Sequence, residues 1–161
     1  IFRRALKVAP DNLFVIAHVA IAKIQVGKIT DARVGLEKVL LKKPKDLLVL
    51  TNLAIVYSRL KAYDKAIATL KQILEIDPQN AIAHHDMGVV LGKTGELKES
   101  EQYLLRSIAL DPNYAKAHLN LASMYLQQTP PALDLARASY EKAKSLGCAA
   151  DSKIESRLHS P

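Results

Sequence analysis

The chain has 161 residues, 49% of them hydrophobic and 24% charged, a balance that suits a soluble domain with a sizeable core and excludes a disordered chain. Its formal charge of +7 lies wholly in the first half, where residues 1–80 hold 14 Lys/Arg against 7 Asp/Glu while residues 81–161 hold 9 of each. No window reaches the roughly 18 to 20 uninterrupted apolar residues of a bilayer span, and the most apolar one, LFVIAHVAIAKIQVG, is broken by His18 and Lys23.

In chain order, residues 1–12 open on IFRRALKV, which reads as the second helix (residues 1–8) of a truncated repeat. The stretch lacks the apolar core and small-residue cleavage site of a signal peptide, and it starts at Ile1 inside a helix without a cap. Further repeats or another domain are therefore expected upstream. Pro10, Pro44, Pro78 and Pro112 then follow at intervals of 34 residues, in the settings KVAPDN, LKKPKD, EIDPQN and ALDPNY. Each follows an apolar helical stretch, where a missing N–H and a fixed φ stop one helix before the next begins. A period of 34 built from two helices marks a solenoid of helical hairpins, predicted over 13–46, 47–80, 81–114 and 115–148. The turn of the last repeat, TPPALD, is two residues longer than the others. A short helix over 151–158 closes the chain, with SKIE read as a capping box from Ser152 to Glu155 and Ile154 and Leu158 as its apolar stripe.

Columns of this register test the period independently of the prolines. Ala20, Ala54, Gly88 and Ala122 stay small, as do Ala32, Ala66, Ser100 and, displaced by two, Ala136. Small residues allow helices to approach closely, whereas a large side chain there would overpack the contact. Large apolar residues recur between them: Val19, Leu53, Met87 and Leu121 on the first helices, and Phe2, Leu36, Leu70, Leu104 and Tyr140 on the second.

These residues resemble the tetratricopeptide repeat pattern, matched best in the second repeat by Asn52, Leu53, Ala54, Tyr57, Tyr63, Ala66, Leu70 and Pro78. Departures are Lys23 and Leu91 in place of the first-helix tyrosine seen at Tyr57 and Tyr125, and Lys61 in place of the turn glycine seen at Gly27 and Gly95. The resemblance implies one all-α domain over residues 1–161, a right-handed superhelical solenoid of antiparallel helix pairs, with the first helix of each pair on the concave groove. It also implies a non-enzymatic scaffold for protein–protein interaction, with no cofactor.

The residues expected on that groove are Phe14, Ala17, Ile21 and Gln25; Leu48, Thr51, Ile55 and Arg59; Ile82, His85, Val89 and Lys93; and Lys116, Leu119, Ser123 and Gln127. Beside them runs a polar column, His18, Asn52, Asp86 and Asn120. It resembles the asparagine ladder with which some members of the family hold the backbone of an extended peptide, and an amide suits that role because it both donates and accepts. Phe14, Leu48 and Ile82 form one apolar stripe and Ile21, Ile55 and Val89 another, to be buried by a protein or peptide partner. Arg59, Lys93 and Lys116 would steer acidic side chains. The carboxylate clamp used by chaperone-binding members is not preserved: its positions fall on Ala17, Ile21, Asn52, Ile82 and Asp86 in one frame and on Thr51, Ile55, Asp86, Lys116 and Asn120 in the next. Acidic chaperone tails are thereby disfavoured.

Other chemistry finds little footing. His84 and His85 are adjacent, so on a helix they point about 100° apart and do not chelate one ion from one face. His84 shares a column with Ile16, Leu50 and His118 and is expected to pack within its hairpin. Gly88, Gly92 and Gly95 follow no strand and lack the Lys-Ser/Thr of a phosphate loop. Cys148 stands alone at a helix end, which points to a reducing compartment, the cytoplasm by expectation. Two alternative roles stay open: a substrate-recruiting arm of a larger enzyme such as a glycosyltransferase, and a nucleic-acid surface around Arg3, Arg4, Lys42, Lys43 and Lys45. The scarcity of exposed aromatics for stacking on bases counts against the second.

Overall fold

The computed structural model describes residues 11–159. The predicted helix over 1–8, with Phe2, lies outside them. The chain divides into two compact units at Pro78/Gln79. The first unit contains α1 (Leu13–Gln25), α2 (Ile29–Leu40), α3 (Leu47–Arg59) and α4 (Tyr63–Ile76). The second contains α5 (Ala81–Thr94), α6 (Leu97–Leu110), α7 (Ala115–Gln127), α8 (Leu133–Ser145) and α9 (Ser152–Leu158). Among the described residues all regular structure is helical.

The starts of the first helices obey the 34-residue period in a column beyond the prolines. Asn12 accepts from the Phe14 and Val15 amides, Asp46 from the Val49 amide and Asn80 from the Ala83 amide, so three orphan donor sets find a side-chain oxygen. The fourth member of the column, Tyr114, makes no such cap. The second helices follow tight turns instead, entered through left-handed backbone at Gly27 and Gly95. Lys61 adopts the same conformation, with φ 57°, without a glycine's freedom. Lys61→Gly is accordingly expected to raise the stability of the first unit by up to about 1 kcal/mol, read as a higher urea midpoint. An unchanged or lower midpoint would show that the turn holds Lys61 without strain.

In the first unit α1 packs on α2, α2 on α3 and α3 on α4. Ala20, Ala32, Ala54 and Ala66 sit buried at these contacts beside Leu36, Leu50, Leu53 and Leu70. In the second unit α5 packs on α6, α6 on α7 and α7 on α8, with α9 against both α7 and α8. Here Ser100 and Ser107 replace apolar atoms in the core, and each is satisfied by a carbonyl 2.8 Å away, Ser100 on Gly88 and Ser107 on Ala81. The longer turn between α7 and α8 spans residues 128–132.

Two tyrosines of the first helices reach back to the preceding second helix: Tyr57 donates to Glu37 at 2.9 Å and Tyr125 to Glu101 at 2.8 Å. Burial, then the hydrogen bond to the carboxylate, push both phenols from 10.0 up to about 12. A folded value above the unfolded one means the protonated phenols contribute stability fully below pH 10, and that contribution is lost as pH rises toward about 12. The urea midpoint is expected to fall across that window and to fall less in Tyr57→Phe/Tyr125→Phe. Identical pH profiles for the two chains would remove the assignment.

At the end of the second unit the short helix forms where expected, with Ile154 and Leu158 buried on its stripe. Its cap differs from the reading of SKIE. Asp151, one residue earlier, accepts from the Lys153 and Ile154 amides, and Ser152 is already helical. Glu155 is taken by the Tyr140 hydroxyl at 3.0 Å, so it does not reach back as a capping box requires. Arg157 donates to the Leu126 carbonyl and Arg137 to the Leu158 carbonyl, tying α9 to both neighbours.

Candidate functional site

In the first unit the candidate face is carried by α1 and α3. Phe14 is 66% exposed and Leu48 49%, each near the start of its helix and free of the core. Ile21 and Ile55, one to two turns on, are half-buried. Between these stripes stand His18 and Asn52, and both bond back to their own helix: the His18 ring to the Phe14 carbonyl at 2.8 Å and Asn52 Nδ2 to the Leu48 carbonyl at 2.8 Å. That back-bond uses one of the two N–H groups of Asn52 and keeps its amide at the surface. Arg59 is exposed, but its guanidinium donates to the Ile24 carbonyl near the end of α1. That carbonyl also accepts from the Gly27 amide at 3.2 Å, so Arg59 adds a second bond at the end of α1 as well as presenting charge. Ala17, expected on the same face, is instead buried; its methyl is short enough to be covered where α1 meets its neighbours.

In the second unit α5 and α7 carry the face. Ile82 is 53% exposed, Lys93 and Lys116 are exposed, and Val89 and Ser123 are half-buried. Val89, Lys93, Asn120 and Ser123 line one hollow of about 130 Å³, floored by Gly88 and Leu104. Asn120 and Ser123 also wall a second, of about 300 Å³, closed on its far side by Asp151, Lys153 and Arg157. Asn120 therefore stands between two adjoining hollows.

Of the histidine pair, His85 alone departs from the reading of the sequence. His84 is half-buried with its ring 5.7 Å from that of Tyr103, within the α5–α6 hairpin. His85, placed on the groove by its column, is only 7% exposed. Its Nδ1 lies 2.8 Å from Asp86 Oδ1, its Nε2 lies 2.8 Å from Asn120 Nδ2, and the Tyr114 ring covers it at 4.9 Å. Asp86 accordingly belongs to a local histidine cluster as well as to the polar column, because neighbouring side chains on α5 meet around their own backbone. The sequence signal was available in the cap column: Tyr114 occupies the place of Asn12, Asp46 and Asn80, and a tyrosine there packs instead of capping. Among the described residues no three of His, Cys, Asp and Glu gather as a metal-binding group, and no helix is long and apolar enough to cross a membrane.

Repeated two-helix units with small residues at their contacts define an α-helical hairpin repeat protein. The chain belongs to the tetratricopeptide repeat family: the family model matches residues 23–86 and again 57–113, together more than half of the chain. Solved structures agree. A crystal structure of MamA superposes with a TM-score of 0.77 at 19% identity, covering 90% of this chain and 84% of that one, a likeness of fold alone. A second MamA structure gives 0.70 at 25% identity over 96% and 83%. TTC0263, a thermophilic tetratricopeptide repeat protein of Thermus thermophilus, gives 0.77 at 25% identity over 98% and 84%. No curated protein matches. The fold is in general a non-catalytic scaffold, and membership of the family points to protein–protein interaction.

Proposed function

We propose that the chain binds a peptide segment of a partner protein on the faces of its first helices. The observation that carries this reading is the placement of Asn52 and Asn120. Both amides lie on a first helix, anchored to their own backbone at 2.8 and 3.0 Å, Asn52 one turn from the exposed Leu48 and Asn120 at the two hollows it lines. An anchored amide has little rotamer freedom to lose when a ligand arrives, so its hydrogen bond contributes more of its energy to binding. Phe14, Leu48 and Ile82 supply apolar area, and Lys93 and Lys116 favour acidic side chains near the segment. Asp86 works against a carboxylate in the same place. Arg59 serves the fold first and the ligand second.

The test is display selection of peptides on the whole chain, followed by affinities for Asn52→Ala/Asn120→Ala. Two ligand hydrogen bonds of about 0.5–1.5 kcal/mol each predict a loss of roughly 5- to 150-fold. Selected peptides that bind the double variant as well as the parent chain would remove the groove reading.

A further inference from the structure

We infer that His85 is a positioning residue that fixes the polarity of the Asn120 amide, making Asn120 an acceptor-only subsite for a hydrogen-bond donor of the bound segment. The inference rests on the proposed peptide-binding face. Asn120 Nδ2 has two N–H groups, and the structure gives it two acceptors: the Lys116 carbonyl at 3.0 Å and His85 Nε2 at 2.8 Å. For Nε2 to accept, it must be bare, so the ring proton lies on Nδ1. There Asp86 Oδ1 stands 2.8 Å away to receive it. One chain of bonds, Asp86 to His85 to Asn120, therefore selects a single neutral tautomer and a single amide orientation.

The alternative orientation fails on the same atoms. Turning the amide over would set Oδ1 against the Lys116 carbonyl and the bare Nε2, acceptor against acceptor twice. With both N–H groups engaged, Oδ1 is the atom left to meet a ligand in the hollows that Asn120 walls. A ligand backbone N–H or a side-chain donor suits it, and a ligand carbonyl does not. Asn52, which uses one N–H on Leu48, is not restricted in this way. The column alone thus hides a difference between two asparagines that look equivalent.

The ring's surroundings make the arrangement dependent on pH. The ionisable groups it meets are Asp86 beside it on α5 and Tyr114 ahead of α7, whose hydroxyl lies 3.5 Å from Nδ1. From α7 it meets the neutral Asn120, and Lys116, one turn earlier, holds its side chain at the exposed surface. Burial, then Asp86 and Asp111, raise the Tyr114 phenol, so it stays neutral through the range in which an imidazole titrates. A proton added at Nε2 would set donor against donor, and turning the Asn120 amide over would answer that proton only by setting Oδ1 against the Lys116 carbonyl, so protonation unsettles the amide in either orientation. The single acceptor orientation of the subsite would then be lost.

The deciding experiment is nitrogen-15 NMR on the labelled whole chain. The expected result is a His85 ring with its proton on Nδ1 at neutral pH. The Asn120 side-chain amide signals should shift on acidification with the midpoint of the His85 ring. In His85→Gln, which keeps an acceptor but does not titrate, that shift should vanish while the fold persists. A proton on Nε2 at neutral pH, or Asn120 signals indifferent to the ring's titration, would overturn the inference in the parent chain itself, whatever the variant does. The ligand arm uses display-selected peptides in which each backbone N–H is replaced in turn by an ester oxygen. One replacement is expected to weaken binding to the parent about 5-fold or more and to Asn120→Ala less than 2-fold. No such position would overturn the donor requirement, whereas failure to select any peptide would remove the binding face and leave the ring and amide assignment to the spectra.

Discussion

Gly88→Ala is expected to destabilise the second unit by about 1–3 kcal/mol, although the same exchange in an ordinary helix interior would stabilise by about 1 kcal/mol. The reversal comes from what the new methyl group meets. A Cβ at position 88 would lie 2.7 Å from Leu104 Cγ and 3.0 Å from the Ser100 carbonyl oxygen. Leu104 is buried, and its branch point can yield only toward the small hollow that it and Gly88 line. The Ser100 carbonyl belongs to the backbone of α6, and the Ser100 hydroxyl is bonded to the Gly88 carbonyl at 2.8 Å, so the two helices are tied at this point. Relief requires α6 to move off α5, and α6 also packs on α7. Gly92→Ala is the internal control. Its Cβ would meet the Ser100 hydroxyl at 3.2 Å and the Ser100 Cβ at 3.9 Å, with no backbone in the way. It should be near neutral or stabilising. Urea unfolding followed by circular dichroism compares the two, and a Gly88→Ala chain as stable as Gly92→Ala would show that the α5–α6 contact relaxes freely.

That glycine also shows what the sequence discloses and what it withholds. Gly88 was legible as a small member of a column with Ala20, Ala54 and Ala122, since a close helix contact constrains volume at every turn of the period. Leu53, Leu70, Met87, Leu104 and Tyr140 were legible as core for the same reason, and each is buried. A column records what successive repeats have in common. It is silent where one repeat departs from the rest. His85 shares its column with Ala17, whose short methyl is covered, and with Thr51 and Leu119, which are half-buried; only in this repeat do a Tyr114 ring and an Asn120 amide close over a large polar side chain. Asp151 in place of Ser152 as the cap of α9 has a similar origin. Both residues are good caps, and the choice between them depends on where Tyr140 holds the chain.

Tyr140→Phe is expected to loosen α9 and destabilise the second unit by about 1–3 kcal/mol, and Tyr140→Ala by about 3–5 kcal/mol. The ring is 1% exposed, so Ala would leave a cavity between α8 and α9. Phe keeps the ring and removes one oxygen, which isolates what that oxygen does. The hydroxyl accepts from the Asp151 amide at 2.7 Å and donates to Glu155 Oε1 at 3.0 Å. It therefore holds both the residue that caps α9 and a carboxylate in its first turn. Without the hydroxyl both groups must recover water at a site where Ile154 and Leu158 are packed against the core. Asp151 and Glu155 are both half-buried, so their full hydration draws α9 outward, and lifting exposes Ile154 and Leu158. The sensitive measurement is hydrogen exchange at the Glu155 and His159 amides, which bond to the Asp151 and Glu155 carbonyls within and just after α9. In Tyr140→Phe they should exchange faster, by a factor that matches the loss in stability if α9 leaves only with the whole unit and exceeds it if α9 leaves alone. Unchanged exchange at both amides would mean that Ile154 and Leu158 dock the helix unaided, and that the tyrosine hydroxyl merely fills its place in the core.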